Sequence, residues 1–169
     1  MALNNTLMSL KSIFGKNYDF LSPSKRKESN LLFSNWLKDS IKKLRDEIAI
    51  IKNMVLQAQM IMVWGDLDKL LTSLVDISNN LNETTYEGST FFRSQKNIPE
   101  EVDKILNTEL KIVDLMKLLL SKLSEFKDSI ESALLSETSK LVLEMTNILN
   151  EISKNWIKRK EIIVEFRYL

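Results

Sequence analysis

The sequence predicts an all-α protein: a long antiparallel αα-hairpin with further helices packed along it. Three observations carry that prediction. The 169 residues include only 3 Gly and 2 Pro, too few for the turns of an all-β domain or the glycine-rich loop of a nucleotide site. Pro99 is the last of those five, and the seventy residues after it hold neither type, as long helices require. Apolar residues recur at alternating intervals of four and three through much of the chain, which is the seam of packed helices. With 44% hydrophobic and 28% charged residues, there is enough apolar material for the core of about one domain.

In chain order, residues 1–22 read as an amphipathic segment, with Leu3, Leu7, Leu10 and Phe14 on one helical face. That face suits either a bilayer interface or the side of a helical bundle. Gly15 and Pro23 bracket a linker. The first long helix is predicted over about 29–63, roughly 50 Å at 1.5 Å per residue. Its seam is Leu37, Ile41, Leu44, Ile48, Ile51, Val55, Ala58 and Met62. Gly65 and Asp66 then supply a left-handed turn residue and an N-cap, so the hairpin turn is predicted there. A second helix follows with Leu67, Leu70, Leu74, Ile77 and Leu81 in register.

The stretch from Asn82 to Asn97 has poor helix formers around Gly88 and reads as a hinge, closing a hairpin region of about 29–97. Pro99, Glu100 and Glu101 suit the first turn of a third helix. The third and fourth helices span about 99–153, with Ile105, Ile112, Met116, Leu119, Leu123, Phe126, Ile130 and Ala133 in register and a polar gap at Glu109. The pattern thins at Ser136–Ser139, which leaves one bent helix or two. Residues 154–169 form a basic and apolar tail that reads two ways: Ile162, Val164 and Phe166 alternate like a strand, yet the chain offers no other strand to pair with it. The expected core is thus 23–153.

Charge is distributed unevenly. Residues 1–52 carry 10 Lys and Arg against 5 Asp and Glu, whereas 53–153 carry 9 against 16. The basic positions are Lys25, Arg26 and Lys27, then Lys38, Lys42, Lys43, Arg45 and Lys52 on the first helix. They suit an anionic membrane surface or a solvated face partly neutralised by Asp39, Asp46 and Glu47. Aromatic residues are not interleaved with them as nucleic acid would require, so no nucleic-acid partner is predicted. A second apolar row of Ile50, Met54 and Ile61 lies off the seam and suits self-assembly. The acidic third helix is expected to fold back over the hairpin and restrain that assembly.

With no Cys and no His, thiol chemistry, zinc sites and the usual general base are excluded. Asp66 with Asp68, and Glu100 with Glu101, read as helix-terminal charges rather than catalytic dyads. No enzyme activity, metal or cofactor is predicted. The longest uncharged run, Asn53 to Gly65, is thirteen residues, short of the roughly 20 a membrane span needs. A cytoplasmic location is expected.

Three stretches resemble the ESCRT-III family, in particular the archaeal cell division protein B paralogues. Ser9–Lys16, SLKSIFGK, is similar to the apolar start of many members. Leu37–Leu44, LKDSIKKL, resembles the basic opening of the family's first helix, and Gln57–Ile77, QAQMIMVWGDLDKLLTSLVDI, resembles the hairpin tip. The likeness spans about residues 9–135. It implies a non-catalytic subunit that polymerises with itself and paralogous subunits on an anionic membrane. Such a subunit acts in constriction or scission during cell division or vesicle release, peripheral on the inner face of the cell membrane. A AAA ATPase partner would be implied too, but the proline-containing motif that recruits it is missing after Pro99. The competing expectation is a structural helical-bundle or coiled-coil interaction protein, cellular or viral, with no membrane role.

Overall fold

A computed structural model describes residues 2–166. They form helices α1 (Ala2–Phe14), α2 (Arg26–Gln57), α3 (Ile61–Glu83), α4 (Pro99–Glu131) and α5 (Leu135–Glu165), with a 3-10 turn at Pro23–Lys25. No strand occurs among the described residues, and the all-α expectation holds. The helices fall into two compact units. One comprises residues up to Leu37, Thr84–Val113 and the chain from Lys154; the other comprises Lys38–Glu83 and Asp114–Ser153. This division differs from the expected 1–22, 23–153 and 154–169, because α2, α4 and α5 each contribute to both units.

The second unit is a four-helix arrangement made of two hairpins. Leu44, Ile48, Val55, Leu67, Leu70 and Leu74 from α2 and α3 are buried, as are Met116, Leu123, Phe126, Met145 and Leu149 from α4 and α5. Ion pairs show which helices are neighbours. Lys52 of α2 meets Asp68 of α3 at 2.5 Å, Glu47 of α2 meets Lys127 of α4 at 2.9 Å, and Lys122 of α4 meets Glu144 of α5 at 3.2 Å. A groove lined by Asp66, Lys69, Val142 and Leu143 joins α3 to α5. The ring order is therefore α2–α3–α5–α4, with the α2–α4 and α3–α5 neighbours parallel and the turns at 58–60 and 132–134 at one end.

Both turns correct the sequence reading. The first hairpin turn lies at Ala58–Met60, not at Gly65 and Asp66, which sit inside α3. Gln59 takes the left-handed conformation with φ 60°, its N–H reaching the Leu56 carbonyl while that of Met60 reaches Val55. Those two bonds make a Schellman cap, and the Met60–Val55 pair that closes it is buried. Ala133 (φ 55°) ends α4 in the same way, with Leu134 N–H bonded to the Ser129 carbonyl at 3.0 Å. A glycine is the cheaper choice at such a position, yet Gly65 lies within α3 and the turn uses Gln59. Consequently Ala58 and Met62 of the expected seam are exposed, and the break between α4 and α5 precedes Ser136–Ser139.

The register in the middle of α2 is as expected, with Leu44 and Ile48 almost completely buried. Leu44→Ala should cost about 2–5 kcal/mol through lost burial and a residual cavity. Lys43→Ala, one position away and exposed, should change the thermal midpoint little. Thermal melts of the two variants by circular dichroism check this directly.

The first unit contains α1, the start of α2, the 84–98 segment, the start of α4 and the end of α5. The described part of the tail is helical through Glu165, so the alternation of Ile162 and Val164 lies within a helix; positions 167–169 lie outside the described residues. Gly15 caps α1 at φ 97°, donating to the Lys11 carbonyl at 2.8 Å. The 84–98 segment is packed rather than loose: Ser89, Thr90, Phe91 and Ser94 are buried, and the Ser89 hydroxyl donates to the Ile163 carbonyl.

Candidate interaction surface

The structure separates the predicted site residues into those with exposed chemistry and those committed to the interior. Of the α1 set, Leu7 and Leu10 are buried, and Leu3 and Phe14 are half-buried. Phe14 packs against Tyr18, Phe33 and Trp36 at ring-centroid distances of 5.1, 5.8 and 5.6 Å. The apolar face of α1 is thus covered by its own unit, and membrane insertion would require the helix to leave it.

The basic set divides as well. Arg26 is a correction: it has 0% exposure and no access to a surface partner. Its guanidinium donates to the carbonyls of Phe20 (3.0 Å), Ser94 (2.7 Å), Lys96 (3.0 Å) and Phe91 (3.4 Å). Burial lowers its pKa from the ordinary value. One arginine therefore ties the start of α2 to the 84–98 segment that was expected to hinge. Lys52 is also engaged, paired with Asp68 and lying 4.1 Å from the centroid of the Trp64 ring.

Lys42, Lys43 and Arg45 are exposed and Lys38 is half-buried; none has an ion pair among the described residues. Lys25 is half-buried and Lys27 exposed. Glu47, expected to neutralise this face, instead reaches Lys127. Of the self-assembly row, Ile50 is 64% and Ile61 72% exposed, while Met54 is half-buried. Leu56 and Met62 join them at 55% and 80%. The second unit thus presents three free cations on α2, followed along the same helix by exposed apolar residues that continue through an uncharged turn. Acidic Asp128, Glu131 and Glu137 flank the other turn.

Sequence reasoning missed a buried polar cluster in the first unit. Arg159 of α5 donates through Nε to Glu109 at 2.7 Å, and both side chains are fully buried. Its other nitrogens reach the Tyr86 hydroxyl at 3.1 Å and the Asn30 side-chain oxygen at 2.8 Å. Tyr18 donates its hydroxyl to the second Glu109 oxygen. The guanidinium also lies 4.8 Å from the Phe33 ring centroid and 5.3 Å from that of Trp156. Burial pushes the Glu109 carboxyl above its ordinary range, although Arg159 and Tyr18 pull the other way. For Arg159, burial is the largest influence and acts downward, but Glu109, Tyr86 and Tyr18 together outweigh it and leave the guanidinium above its usual value; burial and then Glu109 raise Tyr18.

A signal for this cluster was visible. Glu109 interrupts one apolar seam, and Arg159 occupies a seam position among Ile152, Trp156 and Ile163. Opposite charges on two buried stripes form a complementary pair. Arg26 had its own signal, since a cation in the first turn of a helix opposes the helix dipole. Arg159, Glu109 and Tyr18 are buried and bonded to one another, so the cluster's chemistry is structural. No described helix is long and apolar enough to cross a membrane. No protein-family model, curated protein or solved structure matches this chain.

Proposed function

We propose that the protein is a non-catalytic, peripheral assembly subunit that binds an anionic membrane through α2, as its likeness to the ESCRT-III family implies. The single observation that supports this most is the juxtaposition on α2: Lys42, Lys43 and Arg45 stand exposed without ion pairs, and Ile50 and Leu56 follow them. Ile61 and Met62, just past the turn, extend the apolar stretch. Cations that reach headgroups beside apolar side chains that enter the interface are the two components of peripheral membrane binding. Under this reading Arg26 and Lys52 take no part.

Each Lys or Arg near an anionic leaflet contributes about 1 kcal/mol. The Lys42→Glu/Lys43→Glu/Arg45→Glu variant should therefore bind anionic liposomes at least about a hundredfold more weakly. Binding by the parent chain should also fall as salt shortens the Debye length below about 8 Å. Co-sedimentation measures both, and electron microscopy of the pelleted vesicles tests for ordered polymer. Equal pelleting with neutral and anionic vesicles would overturn the electrostatic part of the reading, and pelleting no greater than without vesicles would overturn membrane binding altogether. That second outcome would leave the interaction-bundle alternative, for which the acidic fringe at Asp128, Glu131 and Glu137 suits a basic protein partner.

A further inference from the structure

A separate feature of the first unit has no place in that function. Lys104, Asn107, Thr108 and Lys111 of α4 line one wall of a groove, and Asn155 and Lys158 of α5 line the other. The α4 residues are spaced i, i+3, i+4 and i+7, so they form one stripe, and Asn155 and Lys158 are likewise neighbours on α5. Three lysines line the groove, and no Asp or Glu does. Lys104, Lys111 and Lys158 are exposed and have no ion pair among the described residues.

The floor is polar and ordered. Thr108 is 4% and Asn155 8% exposed, and the Thr108 hydroxyl donates to the Lys104 carbonyl at 2.7 Å. Of the acids beside the stripe on α4, Asp103 accepts the Asn107 amide at 3.2 Å and the buried Glu109 pairs with Arg159. The cavity volume is about 230 Å³, room for roughly seven waters at about 30 Å³ each. That is sufficient for one or two phosphoryl groups. Three like charges facing one space repel, and an oxyanion between them turns that repulsion into charge-assisted hydrogen bonds.

We infer that this groove binds a phosphate group, mono- or diphosphate, either free or carried on a lipid headgroup. The inference does not depend on the α2 surface, and its test uses different residues. The full chain, labelled with nitrogen-15, is titrated with pyrophosphate at constant ionic strength. Amide shifts should saturate and should centre on residues 104–111 and 155–158. In Lys104→Gln/Lys111→Gln/Lys158→Gln the apparent affinity should fall at least about tenfold, while the melting midpoint stays near that of the parent. Lys158→Gln alone should give a smaller loss, and it serves as the readout if the triple variant folds poorly.

Flotation with vesicles distinguishes the source of the phosphate. One set holds a lipid with an exposed phosphomonoester and the other a phosphodiester lipid of equal total charge. A preference for the first that pyrophosphate competes away, and that the triple variant loses, assigns the groove to a headgroup. Saturable pyrophosphate binding with no lipid preference assigns it to a free phosphate. Shifts that grow linearly without saturation, or identical behaviour of the parent and triple variant, would overturn the inference.

Discussion

Arg159→Met should cost about 3–5 kcal/mol of folding stability, because it leaves the fully buried Glu109 carboxylate without its cation. The Tyr86 hydroxyl and the Asn30 oxygen lose a donor at the same time. Arg159→Met combined with Glu109→Leu should recover much of the loss, since a buried pair replaced by apolar residues is often neutral. The pH dependence has a definite sign. Arg159 is among the influences that lower the Glu109 pKa, so its removal raises that pKa further above the ordinary 4.5. A carboxyl with a raised folded pKa contributes stability that is complete below its unfolded value and lost as pH rises through the folded one. The penalty of Arg159→Met should therefore shrink on acidification toward pH 4.5 and grow toward neutrality. Urea titrations at several pH values measure this. A penalty below about 1 kcal/mol at neutral pH would place the pair in solvent rather than in the core.

Arg26→Ala should destabilise the protein by an amount of the same order, about 3 kcal/mol or more, since hydrogen bonds to a charged group contribute about 1.5–3 kcal/mol each when lost singly. Four backbone carbonyls would lose their donor together, among them Ser94 and Lys96. Arg26→Lys should recover only part of the loss, because one ammonium cannot reproduce the planar fork that reaches separate carbonyls. Opening of the 84–98 segment should be readable as faster amide exchange there than in the middle of α4. Liposome binding by whatever fraction stays folded should be unchanged. A surface role for Arg26 gives the opposite pattern, with stability preserved and lipid binding weakened, so the two readings separate in one pair of measurements.

The sequence by itself determined the all-helical class and the presence of long helices after Pro23, while leaving one bent helix or two after Pro99. It also determined the register in the middle of α2 and α3, because the interval between apolar residues is a property of each helix alone. Leu44, Leu67 and Leu74 lie in the core for that reason. The places where the chain turns were beyond it. A Schellman cap needs one residue in the left-handed conformation, which Gln59 and Ala133 take; the buried Met60–Val55 pair closes the first, whereas Leu134 stays exposed at the second. Gly65 offered a cheaper left-handed residue that the packing never used. The fate of charge was likewise decided only by the tertiary structure. Lys42 and Arg26 are both cations on α2, yet one is solvated and the other shielded completely. The difference lies in the Phe91–Lys96 backbone, some seventy residues away in sequence, whose carbonyls accept the guanidinium. Helical periodicity states which face a residue is on, and a partner so remote along the chain is set by the packing of the whole unit.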